Sequence, residues 1–346
     1  MQATAPLVSI VIVTWNGLSL LKQCLPSVVA SGFHSFEIVL ADNASTDDSA
    51  AWVQATYPDV KIVQHPENWA FCKGNNEAIP HTSGKYIVLL NNDVEVTPGW
   101  LDPLVEVMEN DKQVAAVQPK LLQYTARNTF EYAGGAGGHM DKYGYPFTRG
   151  RLFFSMEGDT GQYDNACDIF WATGAAVMFR KSALDEVGLL DETFFMHMEE
   201  IDLCWRLKRA GYRIKVAPAS MVYHIGGASL PQGNSKKTYL NFRNNLIMLY
   251  KNLPPAIWRK RFIVRAMLDA LAMARALLTG QFSEFGAIFR AYLDAHSMSR
   301  KHITERPASI DTRALPSYNR SIVLDYFLRG KKRFQDLPAD GFKQQL

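Results

Sequence analysis

At 346 residues, with 47% hydrophobic and 21% charged residues and a formal net charge of +3, the chain can bury a large core and is too apolar to be disordered. Its four cysteines, Cys24, Cys72, Cys167 and Cys204, lack CxxC spacing, which excludes a zinc knuckle and indicates no disulfide framework. The charge is unevenly placed: residues 1–245 carry 20 Lys and Arg against 26 Asp and Glu, whereas residues 246–346 carry 17 against 8, so only the C-terminal part suits an anionic partner.

Residues 7–13 (LVSIVIV) are a short β-branched run ending at Trp15-Asn16-Gly17, which predicts a buried parallel strand that opens into a loop. Leu18, Leu21, Leu25, Val28 and Val29 then recur at helical spacing as far as Ser31-Gly32. The alternation continues with strands over 36–41, 60–64, 85–90 and 114–118 and helices over 45–56 and 74–79. This interval predicts an α/β fold with a mostly parallel central sheet covered on both faces, whose ligands bind beyond the carboxyl ends of the strands. Residues 130–167, rich in Gly, Tyr and polar residues without a period, read as a long excursion from the sheet. A strand over 171–179, a helix over 201–210 closed by Gly211 and a strand over 212–216 follow, and beyond Pro231 the pattern is helical.

In that tail Ile263, Met267, Ala270, Leu271, Ala274 and Leu278 share one helix face, with Arg261, Arg265 and Asp269 opposite. With basic residues and Trp258 nearby, the stripe points to a membrane surface and not to nucleic acid; packing on the body and a homodimer are the alternatives. Residues 266–282 are interrupted by Asp269 and Arg275 and fall short of the roughly 20 apolar residues of a spanning helix. The N-terminal run shows no export leader, so the expected location is cytoplasmic, peripheral on the cytoplasmic face of the inner membrane.

Three strands end in acidic or amide-rich loops: Thr14-Trp15-Asn16, then Asp42-Asn43-Ala44-Ser45-Thr46-Asp47, then Asn91-Asn92-Asp93. Asp42 could accept the imide N–H of a pyrimidine while neighbouring amides and hydroxyls hold a ribose, or the loop could be simple turn chemistry before a helix. Asp93 at a strand end could hold a divalent hard cation against a diphosphate, or mark only a turn. Glu199, Glu200 and Asp202 crowd the first turn of a helix beside Phe194, Phe195 and Trp205; they complement the helix dipole, and a carboxylate in apolar surroundings also gains the raised pKa a general base needs. His197 with Glu199 does not form HExxH. His224, ending another strand-like run, is either a metal ligand or a structural histidine. Arg243 and Lys236-Lys237 on the next helix either grip a diphosphate or form a solvated basic face.

Six blocks in order then carry a resemblance: VSIVIVTWNG, EIVLADNASTDDS, ENWAFCKGNNEAI, GKYIVLLNNDVEVTPGWL, FWATGAAVMFRKSALDEVGLLDETFFMHMEEIDLCWRLKRAGY and VYHIGGAS. Over roughly residues 7–250 the chain resembles the inverting family 2 glycosyltransferases of GT-A fold, especially their bacterial rhamnosyltransferase-like branch. The resemblance implies a GT-A domain over residues 1–230 and a basic, mostly helical extension over 231–346. It implies that Thr14, Asn16, Asp42, Asn43, Asn76, Asn92 and Arg243 bind the donor nucleotide, and that Asp93, with Asn91 in place of the family's first aspartate, holds Mg²⁺ or Mn²⁺ together with His224. Glu200, where Asp is commoner, is the expected base, with Glu199 and Asp202 able to share its role, and Trp171, Thr173 and Gly174 form the expected acceptor wall. The implied reaction moves rhamnose or a similar hexose from a dTDP- or UDP-sugar to a glycan or lipid-linked acceptor in polysaccharide synthesis. A nicotinamide oxidoreductase is disfavoured because no GxGxxG follows the first strand. A nucleotidyltransferase of related fold, or a non-catalytic membrane- or nucleic-acid-binding protein, is the alternative.

Overall fold

The computed structural model describes residues 5–226 and 234–342, so the expected domain boundary at 230/231, Pro231 and the end of the VYHIGGAS block lie outside the described residues. The first half runs β1 (Val8–Thr14), α1 (Leu18–Val29), β2 (Phe36–Asp42), α2 (Ser49–Thr56), β3 (Lys61–Gln64), α3 (Ala70–Ala78), β4 (Tyr86–Leu90), β5 (Val94–Val96), α4 (Leu101–Asn110) and β6 (Val114–Gln123). Four short strands follow, β7 (Gly138–Met140), β8 (Pro146–Thr148), β9 (Arg151–Leu152) and β10 (Ser155–Met156), then β11 (Cys167–Ile169), β12 (Ala176–Arg180), α5 (Lys181–Val187), α6 (Glu199–Arg209) and β13 (Arg213–His224). The remainder is helical: α7 (Ser235–Asn252), α8 (Pro255–Leu278), α9 (Phe282–Ser299) and α10 (Ile322–Phe327).

The central sheet has the order β11-β13-β6-β12-β4-β1-β2-β3, with β5 on β13. β1 to β4 are mutually parallel and β13 is parallel to β6; β12 enters antiparallel between β4 and β6. Alternation along β1 explains the two-sided core. Val8, Ile10 and Ile12 pack with Leu21, Leu25 and Val28 of α1 and with Leu104 and Met108 of α4, and Val11 packs in the opposite layer with Cys72 of α3, Leu184 of α5 and Leu207 of α6. The parallel register sets Thr14 beside Asp42, so the amide-rich loops leave the same edge.

Several elements differ from the periodicity. The helix expected from 45 starts at Ser49, because Asp47 Oδ1 accepts from the Ser49 amide at 3.1 Å and its Oδ2 from the Leu18 amide at 3.1 Å, which holds the preceding residues as a turn. β6 and β13 run on to Gln123 and His224, so His224 stands on a strand. The strand expected from 171 begins at Ala176. Within 130–167 the chain forms a second, antiparallel sheet in the order β10-β9-β8-β7. Its apolar face, Phe147 and Leu152, is closed by Tyr318, Ile322, Tyr326 and Leu337 from the C-terminal part.

The tail helix is turned inside out relative to its pattern. α8 buries Arg265, Asp269 and Ala276, while Ile263, Met267, Leu271 and Leu278 face outward. Asp269 accepts from Tyr145 Oη and Tyr292 Oη, both at 2.6 Å, and from Arg265 Nε at 2.8 Å. Arg265 also reaches the Tyr143 carbonyl and Asn245 Oδ1. A fully answered polar cluster costs little to bury, so the charged face and not the apolar stripe packs on the body. No helix among the described residues is long and apolar enough to cross a membrane.

Candidate active site

At the carboxyl edge of the parallel strands the side chains first bind one another. Thr14 Oγ1 accepts from Asn92 Nδ2 at 2.9 Å, tying the β1 and β4 loops together. Asn16 Oδ1 accepts from the Thr46 amide at 2.7 Å, and the Asn16 amide donates to Ser45 Oγ at 2.9 Å, joining the β1 and β2 loops. Asp42, buried at the end of β2, accepts from the Ser45 amide, from Ser45 Oγ and from Gln64 Nε2. A carboxylate offers about four lone-pair positions, so room remains for one further donor such as an imide N–H. Asn43 donates to the Ala70 carbonyl at 2.9 Å, and its buried Oδ1 has no partner among the described residues.

Backbone strain gathers at the same edge. Among the described residues the non-glycine residues with positive φ are Asn16, Ala44, Ala70, Phe153, Phe195, His197 and Met198, and all but Phe153 lie in the β1 and β2 loops, at the first residue of α3 or just before α6. Such conformations cost on the order of 1–3 kcal/mol each and persist only where surrounding bonds enforce them. Before α6 the enforcer is Asn244 of α7: its single Nδ2 donates to the carbonyls of Phe194 and Met196 at 2.9 Å and of His197 at 2.8 Å.

The clamped segment delivers Glu199 and Glu200 to the N-terminus of α6. Each keeps one buried carboxylate oxygen without a partner. Burial drives both pKa values up, against the lowering effect of backbone N–H groups, Glu200 to about 7, and the charge of Glu200 raises Glu199 further. Gly174 brings the β12 approach against this pair: a Cβ there would lie 3.1 Å from Phe71 Cζ of α3 and 3.7 Å from Glu200 Cβ. Since the Asn91 amide donates to the Ala175 carbonyl at 3.0 Å, the end of β4, the 173–175 turn and the acidic pair are contiguous.

Asp93 and His224 form the second charged group. Asp93 Oδ1 lies 3.1 Å from His224 Nε2, and His224 Nδ1 lies 3.3 Å from Glu131 Oε1. Burial opposes charge on both, but the mutual contact prevails: Asp93 is held below the usual carboxylate range and His224, between two carboxylates, is raised to about 10. An Oδ1–Nε2 separation of 3.1 Å matches adjacent ligands on an octahedral ion with bonds of about 2.1 Å, so these residues fit a divalent cation that replaces the imidazole proton. Another cluster, Asp191, His302 and Glu305, also has ligand spacing. There Lys251 Nζ sits 2.6 Å from Asp191 Oδ2 and 3.3 Å from Glu305 Oε2 and already supplies the cation.

Five expected site residues are placed otherwise. Trp171 is 3% exposed, its Nε1 donating to the His139 carbonyl at 2.8 Å, and a Cβ on Gly138 would lie 2.2 Å from its ring; it is a core residue, not a sugar platform. Asp202 is buried and bound by Arg206 Nε at 2.9 Å, Lys251 Nζ at 3.0 Å and Asn252 Nδ2 at 2.7 Å, and these cations hold its pKa down against burial, so it lacks the basicity of the acids beside it. Asn76 binds the Leu190 backbone through both amide atoms, fixing α3 to the turn before α6. Arg243 spends its guanidinium on Asn244 Oδ1 and the carbonyls of Thr193 and Phe194. Thr173 is buried, its amide donating to Gln118 Oε1 at 3.0 Å, and it shapes the turn carrying Gly174. The sequence reading missed Glu131, Gln64 and Asn244. For Asn244 a signal existed: Asn244, Met248, Lys251 and Asn252 share one helical face, and polar residues interleaved there with Leu240 and Ile247 mark a buried polar seam.

A family model described as glycosyl transferase family 2 matches residues 9–188. The chain is 27% identical over 254 residues to the uncharacterized protein y4gI of Sinorhizobium fredii, covering 70% of this chain and 27% of that protein. It is 29% identical over 252 residues to the O-antigen biosynthesis protein RfbC of Myxococcus xanthus, covering 69% of this chain and 19% of RfbC. An N-acetylglucosaminyl-diphospho-decaprenol L-rhamnosyltransferase of Mycobacterium tuberculosis is 24% identical over 232 residues, with 62% of this chain and 75% of that one covered. The chain thus spans about a quarter or less of the length of the first two relatives. Among solved structures it is similar to GalNAc-T7 with UDP, GalNAc and Mn²⁺ (TM-score 0.56, 18% identity, 72% of this chain and 48% of that one). It is also similar to the mannosyltransferase PcManGT of Pyrobaculum calidifontis with GDP-Man and Mn²⁺ (TM-score 0.51, 15% identity, 85% and 88%). These likenesses show the fold, the GT-A type with added C-terminal helices.

Proposed function

The chain belongs to glycosyl transferase family 2, and from that premise we propose that it transfers a hexose, rhamnose or a similar sugar, from a nucleoside-diphosphate donor to a hydroxyl, with inversion at the anomeric carbon. The observation that carries this reading is the pair of buried Glu199 and half-buried Glu200, without counter-cations among the described residues and contiguous through Gly174 with the strand end that leads to Asp93. Glu200, raised to about 7, takes the acceptor proton as its oxygen attacks the anomeric carbon from the face opposite the nucleotide. Burial and the charge of Glu200 both raise the pKa of Glu199 beside it, which disfavours a second negative charge in the pocket. Thr14, Asn16, Asp42, Asn43 and Asn92 surround the nucleoside, and Gly174 leaves room for the acceptor. Asp93 and His224 would hold Mg²⁺ or Mn²⁺, which supplies charge neutralisation for the departing diphosphate.

The acceptor class is a glycan or lipid-linked saccharide of cell-surface polysaccharide synthesis, in keeping with the names of the Myxococcus xanthus and Mycobacterium tuberculosis relatives. The donor is a dTDP- or UDP-sugar used at the cytoplasmic face of the membrane. The test is a panel of nucleotide sugars with a lipid-linked saccharide acceptor, read by mass spectrometry and by NMR of the product. Transfer with inverted configuration is expected; retained configuration, or diphosphate release from a nucleoside triphosphate instead, overturns the reading.

A further inference from the structure

The α8–α9 hairpin presents an apolar face to solvent. Ile263, Met267, Leu271 and Leu278 of α8 and Phe289 and Leu293 of α9 are each between 52 and 88% exposed. The turn between the helices, where the Gln281 amide donates to the Ala276 carbonyl at 2.8 Å, adds exposed Leu277, Leu278 and Phe282 beside exposed Gln281 and half-buried Glu284, so the apolar side chains extend to the tip. Beyond the hairpin the exposed Phe154 stands 6.5 Å from Phe327, and Arg275 of α8 lies 6.0 Å from the Phe154 ring between the two apolar groups. A contiguous outward apolar surface of this kind marks an interaction site.

The charges define the partner. Tyr292 of α9 bonds Asp269 of α8, so the helices run back antiparallel, and the exposed Arg259 and Lys260 at the start of α8 come to the same base as Arg300 and Lys301 after α9. None of these four forms an ion pair among the described residues. An apolar tip with an unpaired cationic base is the arrangement of an interfacial helix, whose side chains enter the acyl boundary while its cations meet phosphates.

We propose that the α8–α9 hairpin docks on an anionic lipid bilayer, with Met267, Leu271, Leu278 and Phe282 below the headgroups and Lys260 and Lys301 among the phosphates. This goes beyond the reaction proposed above by naming a partner for a different face, and it requires no turnover to be tested.

The experiment is flotation of the full chain with vesicles of phosphatidylcholine mixed with phosphatidylglycerol, and with phosphatidylcholine alone. Co-flotation with the anionic vesicles is expected, about tenfold weaker on the neutral ones. The Leu271→Glu/Leu278→Glu double variant should lower the bound fraction at least about tenfold, and Lys260→Glu/Lys301→Glu about tenfold, with thermal melting unchanged because all four side chains are exposed. Absence of flotation, equal flotation on both vesicle types, or binding unaffected by the Leu substitutions overturns the proposal. So does a dimer in sedimentation that Leu278→Glu dissociates while vesicles bind neither form. A failed transferase assay leaves these outcomes intact, so the two readings fall separately.

Discussion

Asp269 in the tail and Glu200 at the strand edge both lie on helices with their carboxylates turned inward, yet their surroundings are opposite. Asp269 meets one guanidinium and two phenols within 2.8 Å. Glu200 has a second carboxyl group beside it, no counter-cation among the described residues and one buried oxygen left without a partner there. The first cluster fixes the tail to the body: burial alone would lower the pKa of Arg265, and the charge of Asp269 outweighs it and raises that pKa instead. The second stores unfavourable charge behind a strained segment that Asn244 holds in place. The difference teaches that buried charge alone marks no function; what separates the two is whether the charge is answered.

The sharpest break in that contrast is Glu200→Gln, which is expected to lower turnover about 10³-fold while the protein folds normally. The same variant should melt at an unchanged temperature at pH 5 and higher than the parent above pH 7. The folded acid titrates near 7 and the unfolded one near 4.5, so between these values the folded state binds more protons and stability falls as pH rises. Melting curves at both pH values, beside a rate assay, check this; equal losses of rate and stability would assign Glu200 to the scaffold. Arg265→Ala, by contrast, leaves Asp269 buried without its cation, held by two phenols alone, and should cost about 3–5 kcal/mol in urea unfolding, with no direct effect on chemistry per folded molecule. Asn244→Ala lies between the two regions: the Met196 and His197 carbonyls lose their side-chain donor while Phe194 keeps Arg243, so about 1–3 kcal/mol of stability and about tenfold in kcat should go, with KM for the donor little changed. The smallest effect is the parent's own pH profile, in which kcat/KM rises up to tenfold per pH unit below about 7 and flattens above it, because the base acts deprotonated. A profile flat between pH 5 and 8 would place the base elsewhere.

Much of the site was legible because its residues sit where local pattern predicts exposure. β-Branched runs ending at Thr14, Asp42 and Leu90 announce strand ends, and parallel pairing brings those ends to one edge. Trp171 shows the limit of that logic: its side chain fits a stacking surface or a core equally well, and it is the approach of Gly138 that takes it inside. Asp202 shows it again, since its difference from Glu199 lies in Lys251 and Asn252, about fifty residues further along the chain.

By itself the sequence determined the alternation of strands and helices, the strand-end loops and the amphipathic tail, because these follow from side-chain periods of two and 3.6 within short segments. Only the tertiary structure decided which carboxylates would be neutralised and which face of α8 would turn inward. Those outcomes depend on partners such as Tyr145, Asn245 and Tyr292, and the free energy of a buried charge is set by whatever the fold brings beside it.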